Sequence, residues 1–238
     1  FLGHDTLDCS EGIEDNYIDL SGGTTSHIEN EDCDFGGGGT TSAPLDVQFL
    51  QDRTGSFADD IAMVRGLVPQ IVSALQAVQT DSRFGESSFV DKPIGGFGAA
   101  GEWVYRTELA LTSVAADLTA TYNAMTTLNG LDAPEAQIEA LMQLALRTSE
   151  VGFRADSARF VVLFTDAPFH VAGDGAAAGI TTPNNGDAIL DGTPEGTGED
   201  YPMIAQLKGA LEAANIIPIF AIAGGFQSTY QALADQLG

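Results

Sequence analysis

Leu45-Asp46-Val47-Gln48-Phe49-Leu50-Gln51-Asp52 is followed directly by Arg53-Thr54-Gly55-Ser56-Phe57-Ala58-Asp59-Asp60. Leu45, Val47 and Phe49 alternate with polar residues up to a break at Asp52, which is the period of a strand. From about Ala58 to Gln79 the apolar residues Ile61, Val64, Val68, Ile71, Val72 and Leu75 recur at spacings of three and four, which predicts a helix with one buried face. A strand ending in an acid, a short turn rich in hydroxyls and a helix together form the opening of a crossover unit in a parallel sheet.

The remainder of the chain repeats that alternation. Arg83 to Asp91 and Glu102 to Leu109 read as strands joined by a glycine-rich turn at Gly95, Gly96 and Gly98, compatible with a hairpin. Helices are predicted at about Ser113 to Leu128 and Ala136 to Glu150. Ala158 to Asp166 contains the unbroken apolar run Phe160 to Phe164, which suits a central strand covered on both faces. An acidic, glycine-rich loop from Ala167 to Asp200 leads to a helix near Tyr201 to Ala214, a strand at Ile216 to Ala223 and a helix near Gln227 to Gln236. The order predicts an α/β fold: an open, doubly wound, mostly parallel sheet with helices on both faces.

The 238 residues include 34 Asp or Glu against 9 Lys or Arg, a formal charge of −25. Such self-repulsion argues against nucleic acid or an anionic membrane as partner. With 44% hydrophobic residues the chain still has material for a core. No unbroken apolar run approaches the roughly 20 residues of a membrane helix, so no membrane insertion is expected. The acid is concentrated in residues 1–44, which hold Asp5, Asp8, Glu11, Glu14, Asp15, Asp19, Glu29, Glu31, Asp32 and Asp34 and no Lys or Arg. Residues 1–44 therefore read as an acidic arm, closed by the Gly36 to Gly39 linker, and residues 45–238 as the folded domain. Cys9 and Cys33 both lie in the arm, where a pair without a core reads as a disulfide staple and favours an extracellular setting.

Ligands of open α/β sheets gather at the carboxyl ends of the strands, and Asp52, Asp91 and Asp166 stand at three such ends. Asp52, Thr54, Ser56, Asp59 and Asp60 form a set of oxygen donors that suits magnesium or calcium; zinc would call for His or Cys, and the three histidines are scattered. The competing reading is a helix start in which Thr54 or Ser56 is the cap and Asp59 and Asp60 favour the dipole. His170 reads as a hydrogen-bonded structural residue, and Trp103 and Tyr105 as strand residues that share a face and pack.

On these residues the chain resembles the von Willebrand factor A domains, and within them the I-like domain of integrin β subunits. Asp52-Arg53-Thr54-Gly55-Ser56 is similar to the metal-ion-dependent adhesion site, with the trailing Asp59-Asp60 typical of integrin β. Phe89-Val90-Asp91-Lys92-Pro93, Asp132-Ala133-Pro134-Glu135 and Phe164-Thr165-Asp166-Ala167-Pro168, continuing through His170 to Gly175, extend the likeness in order. The resemblance implies a magnesium held by Thr54, Ser56 and Glu135, with Asp52 and Asp166 holding its waters. It implies a flanking calcium on Asp59, Asp60 and the main-chain oxygen of Ser56. A second calcium would take Asp91, Glu135 and the carbonyls of Asp132 and Pro134. Gly130 stands where the family has Asn, and the family's last strand and helix are not matched, so the edge at Ile216 to Ala223 is expected to be open to self-association or to the N-terminal arm.

The function expected is a non-enzymatic, extracellular or cell-surface adhesion module that coordinates an Asp or Glu carboxylate of a protein ligand through magnesium. The alternative is a calcium-stabilised structural subunit of a surface assembly or filament.

Overall fold

The computed structural model describes residues 17–19 and 43–238; the Cys9–Cys33 pairing lies outside the described residues. Six strands form one sheet: β1 (Tyr17–Asp19), β2 (Leu45–Asp52), β3 (Ser82–Phe89), β4 (Arg106–Thr112), β5 (Ala158–Thr165) and β6 (Ile216–Ile222), in the order β1-β6-β5-β2-β3-β4. All neighbours are parallel except β3 and β4. The helices are α1 (Ile61–Val78), α2 (Ala115–Ala124), α3 (Gln137–Leu146), α4 (Thr148–Val151), α5 (Ile204–Ala214) and α6 (Gln227–Leu237).

The alternation along β2 sorts the two faces. Val47 and Phe49 pack with Ile61, Val64, Val68 and Val72 of α1 and with Leu118 and Tyr122 of α2. Leu50 points the other way, into a cluster with Ile138, Leu141 and Leu144 of α3, Leu207 and Leu211 of α5 and Leu233 of α6. Central β5 serves both faces, with Val161 and Leu163 on the α3 side and Val162 and Phe164 on the α1 side, as its unbroken apolar run requires. Helix α1 is long and apolar enough by composition to cross a membrane. Its buried stripe nevertheless lies on the sheet, and Arg65 donates to the carbonyls of Tyr122 and Met125.

Three sequence expectations change. The strand expected from Glu102 begins only at Arg106. Val90 N–H donates to the Trp103 carbonyl at 2.8 Å, so the hairpin pairing starts irregularly. Trp103 and Tyr105 do not share a strand face: Tyr105 is buried beside Ser87, whereas Trp103 is covered by the guanidinium groups of Arg53 and Arg106. The edge expected to be open is partly closed, because Tyr17, Ile18 and Asp19 of the arm pair in parallel with Phe220, Ala221 and Ile222.

At the end of the sheet opposite the strand carboxyl termini, Asp46 is fully buried and receives Arg154 Nε at 2.9 Å, Arg154 Nη2 at 2.7 Å, the Arg154 main-chain N–H at 2.7 Å and Ser157 Oγ at 2.7 Å. Arg154 also reaches Asp81, joining the starts of β2, β3 and β5. Removing one partner of a buried pair leaves the other charge without compensation. Arg154→Ala is therefore expected to lower the unfolding free energy by about 3–5 kcal/mol in urea denaturation; a loss below about 1 kcal/mol would place the pair among surface ion pairs.

Candidate metal centre

Sheet order reverses across β2, since the chain moves from β2 to β3 on one side and from β5 to β6 on the other. A crevice opens at such a switch point beyond the carboxyl ends of the strands, and Asp52 and Asp166 flank it. Asp52 is completely buried, and its carboxylate is fully used: Oδ1 accepts from the Thr54 amide at 2.8 Å and the Thr54 hydroxyl at 2.6 Å, and Oδ2 accepts from Thr165 Oγ1 at 2.5 Å. Thr165 is itself oriented by Gln137 Nε2 at 3.0 Å. Across the crevice Ser56 Oγ donates to Asp166 Oδ1 at 3.0 Å.

The hydroxyls of Thr54 and Ser56 thus turn to carboxylates and do not cap α1. Asp60, the residue preceding α1, makes no side-chain cap hydrogen bond either. The helix-start reading of this motif is therefore displaced. The two hydroxyl oxygens lie 3.0 Å apart. Each hydroxyl also lies within hydrogen-bond distance of a carboxylate, Thr54 of Asp52 and Ser56 of Asp166, so two oxygen donors are held side by side at the crevice. Their separation is about the edge of an octahedron built on magnesium–oxygen bonds of ~2.1 Å.

Glu135 enters from the loop before α3. Its backbone forms an isolated parallel bridge with Phe169 in the loop after β5: Glu135 N–H donates to the Pro168 carbonyl at 3.0 Å and its own carbonyl accepts from His170 N–H at 2.9 Å. The side chain is 2% exposed, and Oε2 has no hydrogen-bond partner. Burial, then Asp52, Asp91, Asp132 and Glu102 in that order, push its carboxyl up to about 11. Burial likewise raises Asp52 to about 6 against the pull of its hydroxyl donors, and raises Asp91 and Asp166. Asp60 is raised by burial and by Asp59 and Asp166. A buried carboxylate set this short of positive charge fits a group that brings its own.

The loop facing Ser56 is held by a residue that sequence reading passed over. Glu102 Oε1 accepts from the amides of Asn129 and Gly130 at 2.9 and 3.1 Å, and Oε2 accepts from Ala99 N–H at 2.6 Å. The Asn129 carbonyl in turn takes Gly55 N–H at 3.0 Å, and Leu128 N–H donates to the Arg53 carbonyl at 2.7 Å. Gly130 has φ +61°, and a Cβ there would stand 2.8 Å from Glu135 Oε1. Glycine therefore lets the loop close on Glu135, and no side chain reaches out from this position.

Asp91, at the end of β3, is fully buried. Its Oδ1 accepts from Lys92 N–H at 2.7 Å and from the Tyr201 hydroxyl at 2.5 Å, while Oδ2 has no donor. Lys92 is equally buried, paired with Glu139 at 2.6 Å and donating to the Gly196 carbonyl at 2.8 Å. Burial pushes the Glu139 carboxyl up to about 7 despite Lys92. His170, expected to be a hydrogen-bonded structural residue, lies within hydrogen-bond distance of Asp132 Oδ2 and Asp174 Oδ2, each at 3.1 Å, and 3.6 Å from Asp91 Oδ2.

The chain matches the family model described as the integrin beta chain VWA domain over residues 40–238. It is 33% identical over 211 residues to integrin beta-2 of Sus scrofa, 31% over 208 residues to integrin beta-1 of Gallus gallus, and 33% over 211 residues to integrin beta-7 of Homo sapiens. These alignments cover 80–81% of this chain but 26–27% of the relatives, so the chain spans about a quarter of their length. Among solved structures, the SpRpn10 VWA domain superposes with a TM-score of 0.50 at 11% identity, covering 82% of both chains, a likeness of fold alone.

The carboxylate crowding has a signed consequence. Asp52 and Glu135 hold protons in the native state that the unfolded chain has already released above its ordinary carboxylate range. The native state then binds more protons, and stability falls as pH rises. With divalent cations chelated, Tm is expected to be lower at about pH 8 than at about pH 5, and Glu135→Gln is expected to flatten that dependence. An unchanged slope in Glu135→Gln would assign the effect to the general repulsion of the acidic chain.

Proposed function

Since the chain belongs to the integrin β-chain von Willebrand factor A family, we propose that it is a ligand-binding adhesion module that captures an acidic side chain of a protein partner at the cell surface or outside the cell. The observation that carries this reading is the pair of Thr54 and Ser56 hydroxyl oxygens, 3.0 Å apart and each held by a carboxylate, Asp52 or Asp166. Thr54, Ser56 and Glu135 would hold magnesium, which would supply a coordination position for a carboxylate oxygen of the partner. Asp52 and Asp166 hydrogen-bond the two hydroxyls and would hold the waters of the cation. Glu135 contributes the negative charge that balances the cation, and its burial keeps bulk solvent from competing. Asp59 and Asp60, with the main-chain oxygen of Ser56, are assigned to a flanking calcium. Asp91, Glu135 and the carbonyls of Asp132 and Pro134 form the second flanking position. The chemistry is coordination of a partner, not its chemical conversion. Pairing of the arm with β6 leaves less edge for the filament alternative.

Glu135 is shared between two positions in this scheme. Glu135→Ala is expected to weaken magnesium at the central position and the cation beside Asp91 together, each by about tenfold or more, equivalent to about 1.4 kcal/mol. The packed core should keep the variant folded. Calorimetric titration of the chelated domain checks this; loss at one position only would contradict the sharing.

A further inference from the structure

Arg53 sits between Asp52 and Thr54, so a guanidinium is built into the turn proposed to hold a cation. Its side chain runs toward β4 and the loop after α2. Nε donates to the Thr126 carbonyl at 2.8 Å, Nη2 to the Thr126 hydroxyl at 3.3 Å and Nη1 to Glu108 Oε1 at 3.3 Å. The guanidinium lies 5.1 Å from the centre of the Trp103 ring, whose Nε1 donates to Ser88 Oγ at 3.1 Å. Ser88 Oγ donates in turn to the same Glu108 oxygen at 2.8 Å. Strand β4 lies beyond β3 on one side of β2, whereas Asp166 follows β5 on the other. Arg53 and the Ser56–Asp166 contact are therefore drawn to opposite sides of the turn.

The main chain of the turn is zipped to the loop that Arg53 grips. Leu128 N–H donates to the Arg53 carbonyl at 2.7 Å, and Gly55 N–H donates to the Asn129 carbonyl at 3.0 Å. A Cβ on Gly55 would stand 2.8 Å from the Asn129 oxygen and 3.1 Å from the Leu128 oxygen, so the two segments meet as closely as glycine allows. Arg53 anchors this loop at Thr126, as Glu102 anchors it at Gly130. Thr54 and Ser56 flank Gly55, and the 3.0 Å spacing of their hydroxyl oxygens is set on a main chain held by these contacts.

Charge alone gives Arg53 the wrong sign. A guanidinium near a divalent cation opposes its binding. Arg53 is instead committed to Glu108 and lies near Glu86, which is fully buried and has no hydrogen-bond partner on either oxygen. Burial and then Glu108 raise the Glu86 carboxyl well above its ordinary range, and Arg53 works against them. Acids on the β3 and β4 side thus draw the guanidinium away from the crevice. We infer that Arg53 is a positioning residue for the cation: held by Glu108 and Thr126, it closes the 126–129 loop on the turn and so sets the Thr54 and Ser56 oxygens without touching the metal. The inference rests on the magnesium reading and adds to it residues outside the crevice.

The test titrates the full chain, stripped by a chelator, with Mg²⁺ by calorimetry; the component lost in Thr54→Ala marks the central position. Arg53→Gln removes a positive charge, so a role of charge alone makes Mg²⁺ bind more tightly there. Positioning makes it bind about 3- to 30-fold more weakly. Arg53→Lys keeps the charge but not the planar fork and should weaken Mg²⁺ by a similar factor, where charge alone predicts no change. Glu108→Gln should weaken Mg²⁺ in the otherwise wild-type chain and add less than about twofold to Arg53→Gln, since both act through one contact. Melting of each variant in chelator separates loss of the fold from loss of the site; if Arg53→Gln unfolds, Arg53→Lys and Glu108→Gln carry the test. Mg²⁺ affinity unchanged or tighter in Arg53→Gln, or unchanged in Arg53→Lys or Glu108→Gln, would overturn the inference and leave the magnesium reading standing. So would a Glu108→Gln loss undiminished in the Arg53→Gln background. Failure of the wild-type chain to bind Mg²⁺ would overturn both.

Discussion

Everything at the functional end of this domain follows from one constraint: carboxylates are brought together at the strand ends with almost no positive charge among them. Asp52, Asp91 and Glu135 are buried, and Asp166 faces them across the crevice. Their oxygens are met by hydroxyls, amides and a phenol, which orient a charge but do not neutralise it. The nearest buried ammonium, Lys92, is committed to Glu139 and the Gly196 carbonyl. In a medium of low dielectric such a group either keeps its protons or binds cations. The raised values of Asp52 and Glu135 express the first choice, and the adjacent hydroxyl oxygens of Thr54 and Ser56 suit the second.

The fold supplies the rigidity that this arrangement needs. Parallel strands deliver Asp52, Asp91 and Asp166 to one edge, and helices on both faces cover the apolar alternation that keeps the strands in register. At the opposite end, Arg154 ties β2 to β3 and β5 through Asp46 and Asp81. The loops are set by single polar residues: Glu102 holds the segment at Asn129 and Gly130, Lys92 holds the segment at Gly196, and Tyr201 holds Asp91. Each is a buried or half-buried group whose partners are far away in sequence.

That separation explains what could be read from the chain alone. A period of two marks β2 and one of three to four marks α1, because burial on one face imposes them, while the unbroken apolar run of β5 reflects cover on both faces. The motif Asp52 to Ser56 is legible because its donors are local and Asp166 because it ends a strand, whereas Glu135 is singled out only through resemblance to a family. Glu102 is not legible, since an acid in a glycine-rich turn has no period; its role exists only once distant loops meet. The late start of β4 reflects the irregular register opposite β3. The arm's pairing with β6 is only one option in the sequence, because Tyr17-Ile18-Asp19 is too short to stand out in an acidic segment.

The central claim is that Thr54, Ser56 and Glu135 hold a divalent cation. Crystals grown with Mn²⁺ and measured at the manganese edge test it most directly. The account predicts an anomalous peak about 2.1 Å from Thr54 Oγ1, Ser56 Oγ and one Glu135 oxygen, with Asp52 and Asp166 beyond bonding distance. A map with no peak there, and a Glu135 carboxyl hydrogen-bonded as a neutral acid in its place, would contradict it.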